Sequence, residues 1–97
     1  MAKIRWSREA EQWLKEIYEY IAKDNPNAAG KVVSGIYNKA QSLIDFPELG
    51  YKYRDEPEGD IRILLYGHYR IAYIITADYT DILGVFHGAL DIERYLP

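Results

Sequence analysis

"IRILLYGHYRIAYIITADYTDILGVFH", residues 61–87, decides the fold. Branched and aromatic side chains fill it, and short polar or glycine-containing breaks interrupt it twice, the pattern of strands joined by tight turns. Three strands are expected, at 61–66, 69–77 and 81–87. Gly67-His68 is a two-residue connection with glycine at its first central position, which suits a type II′ hairpin. Ala77-Asp78-Tyr79-Thr80 makes the second turn, with 78–79 as its loop. That register pairs Tyr66 with Tyr69, Leu65 with Arg70, Ile63 with Ala72, Ala72 with Val85 and Arg70 with His87. Because side chains alternate along a strand, one face carries Ile61, Ile63, Leu65, Arg70, Ala72, Ile74, Leu83, Val85 and His87. The other carries Arg62, Leu64, Tyr66, Tyr69, Ile71, Tyr73, Ile75, Ile82 and Phe86.

Upstream, "YKYRDEPEGD" (51–60) reads as a polar loop, and "FPELG" (46–50) ends a helix over roughly 27–45. That helix buries Ala29, Val33, Ile36, Ala40, Leu43 and Ile44. Gly30 and Gly35 inside it cost about 1 kcal/mol each relative to alanine, and close approach to a neighbouring helix is their expected role. The neighbour lies before "KDNPN" (23–27), where Asn25 with Pro26, or Asn27, opens the second helix. Its apolar stripe is Ala10, Trp13, Leu14, Ile17 and Ile21 at spacings of three and four. Ser7 caps it, Glu9 and Glu11 suit its positive end, and Glu11–Lys15 and Glu19–Lys23 are supporting pairs. "AKIRW" (2–6) alternates, with Ala2, Ile4 and Trp6 on one side, and forms a short strand that joins the sheet. The expected architecture is α+β: an N-terminal strand, an αα-hairpin, a three-stranded antiparallel meander and a short C-terminal helix, all one domain over residues 1–97.

Both faces of this meander are apolar, yet a helical hairpin covers only one. The second face is therefore expected to be a binding surface sheltered by another polypeptide. Its contact residues are Ile61, Ile63, Leu65, Arg70, Ala72, Ile74, Leu83 and Val85.

Composition narrows the partner. Residues 1–54 hold nine basic and seven acidic side chains, and residues 55–97 hold three basic and eight acidic. Nucleic-acid affinity rests largely on clustered Lys and Arg, so the acidic half argues against tightly held RNA or DNA. The absence of cysteine excludes disulfides and thiolate metal sites and suits a reducing cytoplasm. No apolar run reaches membrane-spanning length. No metal or cofactor is implied.

The element order, the "WS" at 6–7, "FPELG", "YRIAYII" at 69–75 and "VFHGALDIERYL" at 85–96 together resemble the RelE/ParE superfamily of bacterial toxins. The resemblance implies one half of a type II toxin–antitoxin module acting in growth inhibition and plasmid stabilisation. A partly disordered antitoxin would wrap the toxin and supply the cover for its apolar face. RelE-like members cleave messenger RNA on the ribosome, and ParE-like members inhibit DNA gyrase. The lysines that RelE looks to carry before "YR" fall here on Ile61 and Ile63, which can neither move protons nor neutralise phosphate. The YoeB branch instead implies Glu56 as base, Arg70 as phosphate clamp and His87 as acid. The tail is more similar to ParE-like chains, which often read "H-G-x-R-D"; here His87, Gly88 and Asp91 match and Leu90 replaces the arginine.

The reading adopted is a ParE-like toxin that inhibits gyrase by protein–protein contact. A ribosome-dependent mRNA interferase using Glu56, Arg70 and His87 is the alternative, and an inactive homologue that only binds its antitoxin is a third. Plainer roles compete at each position: His87 closing the sheet, His68 solvated at a turn, Arg70 paired with Asp91, Glu56 in a solvated acidic run. Lys52 and Arg54 either touch phosphate or solubilise the sheet edge.

Overall fold

The computed structural model describes residues 3–88 and 90–96. Their order is β1 (Lys3–Trp6), α1 (Arg8–Ala22), α2 (Pro26–Gln41) with a 3-10 turn at Ser42–Ile44, β2 (Tyr51–Glu56), β3 (Gly59–Tyr66), β4 (Tyr69–Ile75), β5 (Tyr79–His87) and a 3-10 turn at Ile92–Arg94. The α+β architecture is as expected, although Ala2, assigned to the first strand, lies outside the described residues. No helix among the described residues is long and apolar enough to cross a membrane.

Local chemistry sets the helix starts. Ala10 N–H donates to Ser7 Oγ at 3.0 Å, and Ala28 N–H donates to Asn25 Oδ1 at 3.1 Å with Pro26 at the first helical position. Each cap contributes about 1 kcal/mol. Glu11–Lys15 and Glu19–Lys23 do not close into ion pairs. Gly35 makes its close approach to the sheet rather than to α1, since a Cβ there would lie 1.8 Å from Tyr66 Oη. Gly30 has open space.

The sheet runs β1-β5-β4-β3-β2, with β1 parallel to β5 and every other pair antiparallel. β2 occupies the stretch expected to be a polar loop. Tyr51 and Tyr53 alternate with Lys52 and Arg54, a strand pattern hidden by the acids that follow. Glu56-Pro57-Glu58-Gly59 then turns the chain, with proline and glycine where a type I turn takes them. The last 3-10 turn stands where a C-terminal helix was expected.

The β3–β4 register is the expected one, and Gly67 carries a positive φ of 57° while no non-glycine among the described residues does. That combination fits type II′ and excludes I′. The β4–β5 register differs in two ways. The loop is Ala77-Asp78, one residue early, closed by Thr76 N–H donating to Tyr79 O at 2.8 Å. A bulge then intervenes: Tyr73 faces Ile82 and Ala72 faces Gly84, leaving Leu83 extra. The early turn alone keeps the faces, but one extra residue swaps everything beyond it. Val85 and His87 therefore lie on the helix side, and Phe86 on the outer side.

The helix side is the main core. Ala10, Ile36, Ala40 and Leu43 pack on Leu64, Ile71, Tyr73, Ile82 and Val85, all buried. The outer side carries a second cluster of Ile63, Ala72, Phe86 and Ile92. Ile92 belongs to the C-terminal segment, which folds back across the sheet with Leu90 and Leu96. The expectation of a bare outer face is thus corrected, because the chain supplies much of its own cover. Ile61, Ile63 and Ala72 are buried, as is Ile74 at 9% exposure. Leu65 stays 56% exposed and Tyr51 50%, so the open part of this face lies where β2 begins and β3 ends, away from the β2–β3 turn.

Candidate functional site

The residues proposed for RNA cleavage are dispersed. Glu56 stands at the β2–β3 turn, opposite Gly59, and its carboxylate takes Arg54 Nε at 2.7 Å. β3 at Asp60 aligns with Ile75, the far end of β4 from Arg70. Five residues of strand separate those positions, roughly 17 Å along the sheet. Arg70 lies on the outer face opposite Phe86, and His87 lies on the helix face opposite Tyr69. A base, a clamp and an acid must converge on one phosphate. These three do not.

Each has structural work instead. Arg70 Nη2 donates to Leu90 O at 2.6 Å and to Gly88 O at 3.4 Å, so it holds the C-terminal segment by backbone carbonyls rather than by Asp91. His87 is exposed and meets Tyr69 edge-on, with ring centroids 5.8 Å apart and the His68 ring 6.4 Å away. Ile61 and Ile63 are buried, and so offer nothing to a phosphate.

The cations of β2 are likewise engaged. Lys52 Nζ lies 2.7 Å from Asp55 and 3.8 Å from Asp60. That hydrogen-bonded pair raises the Lys52 pKa and lowers that of Asp55. Arg54 also reaches Glu93 at 3.5 Å. Glu93 accepts a hydrogen bond from the Tyr53 hydroxyl, which raises the tyrosine pKa above its ordinary value. A polar latch therefore joins β2 to the C-terminal segment over the buried Ile92.

A groove of about 470 Å³ lies between α1 and the ends of β4 and β5. Trp13, Glu16, Ile17 and Tyr20 line it from α1, with Tyr69, Val85, His87 and Leu90 opposite. Leu90 borders both this groove and the outer-face cluster. The sequence held one signal for it: Tyr20 continues the Trp13–Ile17 spacing but remains 75% exposed. A stripe read as core is also a groove wall. Val85, expected to meet a partner on the outer face, is buried beneath this groove on the helix face. Among the described residues no three His, Cys, Asp or Glu side chains gather as metal ligands.

This fold, a two-helix hairpin against a mixed five-stranded sheet, recurs in toxins of the RelE/ParE superfamily. The structure of a chromosomal ParDE toxin–antitoxin system from P. aeruginosa superposes with a TM-score of 0.75 at 22% identity, covering 90% of this chain and 96% of that one. The RelBE2 toxin–antitoxin complex from Mycobacterium tuberculosis gives 0.63 at 23% identity, covering 89% and 96%. A YoeB dimer from Staphylococcus aureus gives 0.54 at 20% identity, covering 89% and 97%. The sequence narrows the class. Residues 4–92 match the family described as the ParE toxin of the type II toxin–antitoxin system parDE. A Sinorhizobium fredii protein named "Putative toxin Y4kP" is 36% identical over 86 residues, 89% of this chain and 88% of that protein. The chain belongs to the ParE toxin family of type II toxin–antitoxin systems.

Proposed function

We propose that this toxin is neutralised by a cognate antitoxin and that its toxic act is inhibition of DNA gyrase through protein–protein contact, in the cytoplasm. One observation carries the choice between contact and catalysis: Glu56, Arg70 and His87 occupy different ends and opposite faces of the sheet, each in its own local structure. RNA cleavage needs proton donors, acceptors and cations aimed at one scissile phosphate. The acidic C-terminal half adds no phosphate-neutralising patch, and the cations of β2 are already paired with carboxylates. Contact inhibition makes no such demand. It needs only an accessible surface, and the exposed side chains of Phe46, Leu49, Tyr51 and Leu65 provide apolar area for one.

The test is direct. Purified toxin is added to gyrase with relaxed plasmid, and separately to ribosomes translating a defined message. Loss of supercoiling with an intact message is the expected result. Normal supercoiling with rapid message cleavage would overturn the reading in favour of an interferase. Growth unaffected by expression without antitoxin would overturn it in favour of an inactive homologue.

A further inference from the structure

The groove beside α1 has aromatic walls, an apolar floor and one carboxylate. Trp13, Tyr20, Tyr69 and His87 supply rings from α1, β4 and β5, and Glu16 stands on the same flank as Trp13 and Tyr20. Part of the wall is held in place by ring contacts. Trp13 is wedged edge-on against Phe86, centroids 4.8 Å apart, and Tyr69 against His87 at 5.8 Å. Such prior fixing lowers the entropic cost of association.

The charge is one-sided. Glu16 receives a 3.5 Å hydrogen bond from Gln12 Nε2 and makes no ion pair among the described residues. Among the described residues no lysine or arginine lines the groove. The faces of Trp13, Tyr20 and Tyr69 present negative potential, and beside the Glu16 carboxylate they favour a cation. A purely apolar occupant would dry Glu16 without pairing it, at a cost, and a phosphate would be repelled.

We propose that this groove seats a lysine or arginine side chain of the antitoxin, its charge over the rings and paired with Glu16. The inference rests on the toxin–antitoxin reading above and adds the chemistry by which the partner is recognised. The surface expected to hold the partner from sequence was the outer sheet face, which the C-terminal segment largely fills; the groove is open. Its volume exceeds one guanidinium, so the flanking apolar residues of the same segment fill the floor.

The test is calorimetric titration of the purified full-length toxin with the antitoxin encoded beside it, at low and high salt. Glu16 and Tyr20 are exposed, so their variants fold. Glu16→Gln weakens binding about 10-fold and Glu16→Lys about 100-fold, with the wild-type salt dependence reduced in both. Tyr20→Phe keeps the ring and stays within about 2-fold, whereas Tyr20→Leu, apolar but without a π face, loses about 10-fold. Wild-type affinity in Glu16→Lys, or equal affinity in Tyr20→Leu and wild type, overturns the cation cage while leaving the toxin–antitoxin reading intact. Failure of the wild-type toxin to bind the neighbouring protein at all overturns the toxin–antitoxin reading itself.

Discussion

Tyr69, and not Arg70, stands opposite His87 across β4 and β5. The extra residue at Leu83 produces this pairing, because a single insertion in one strand exchanges the faces of everything beyond it. His87 thereby joins the helix side and the α1 groove, while Arg70 stays on the outer side and ties down the C-terminal segment. A sheet that carries its histidine on one face and its arginine on the other has no shared pocket for them. Glu56, at the far end of the sheet in an ion pair with Arg54, is further removed still. Glu56→Ala is therefore expected to leave growth arrest and message integrity as in the wild type. Growth curves and primer extension after induction check it, and loss of arrest in Glu56→Ala would restore the interferase reading.

Arg70 is expected to matter for stability. Its guanidinium donates to the carbonyls of Leu90 and Gly88, and those carbonyls begin the segment that brings Ile92 onto Ile63, Ala72 and Phe86. A hydrogen bond from a charged donor contributes about 1.5–3 kcal/mol, and partial exposure here argues for the lower end. Arg70→Ala should lower the urea midpoint and raise amide exchange selectively over residues 90–96. An exchange pattern unchanged in that segment would show that the apolar packing of Ile92 holds it without Arg70.

The legible and illegible parts of this fold divide along a physical line. The helix stripes, the Ser7 and Asn25 caps and the Gly67-His68 turn are local features, each set by a few adjacent residues, and all are present. The bulge at Leu83 is not local, since it depends on how β5 must lie against both β1 and β4. β2 is hard to read because Asp55, Glu56, Glu58 and Asp60 dominate its neighbourhood, though two alternating tyrosines carry the strand signal. The cover of the outer face is illegible for another reason. Ile92 sits in a short amphipathic tail, and only the fold shows it returning to Ile63 and Ala72, 29 and 20 residues earlier in sequence. The α1 groove is half visible, as a stripe of Trp13 and Ile17 whose continuation at Tyr20 is exposed rather than buried.

Two glycines of α2 should respond to alanine in opposite directions. At Gly30 nothing lies within 4 Å of the point a Cβ would occupy, so Gly30→Ala should stabilise by about 1 kcal/mol through helix propensity. At Gly35 the same methyl would meet Tyr66 Oη at 1.8 Å and Cζ at 2.5 Å. The tyrosine ring packs against the main core and must be displaced, at a cost of about 1–3 kcal/mol. Thermal denaturation of both variants checks the pair. Equal shifts in Tm would mean that α2 slides on the sheet to absorb the clash.

Tyr73 links the core to the loop before β2. It is fully buried, donates its hydroxyl to Pro47 O at 2.7 Å and accepts from Gly50 N–H at 2.9 Å. Burial raises its pKa above the ordinary tyrosine value, with the Gly50 hydrogen bond opposing that rise. The folded state therefore prefers the protonated phenol. Its contribution is whole below the unfolded pKa of about 10 and is lost as pH climbs through the raised folded value. Wild-type stability should accordingly fall at alkaline pH, as the buried phenol is forced to ionise. Tyr73→Phe removes that titration but strands the Pro47 carbonyl and the Gly50 N–H. It should cost about 1–3 kcal/mol at neutral pH and then decline less steeply than the wild type above pH about 10. Urea denaturation across that range measures both effects. Tyr53 has a raised pKa too, from its bond to Glu93, so Tyr53→Phe is the control that apportions the slope. If Tyr73→Phe loses stability with pH as steeply as the wild type, the alkaline transition belongs to the Tyr53–Glu93 latch and not to the buried phenol.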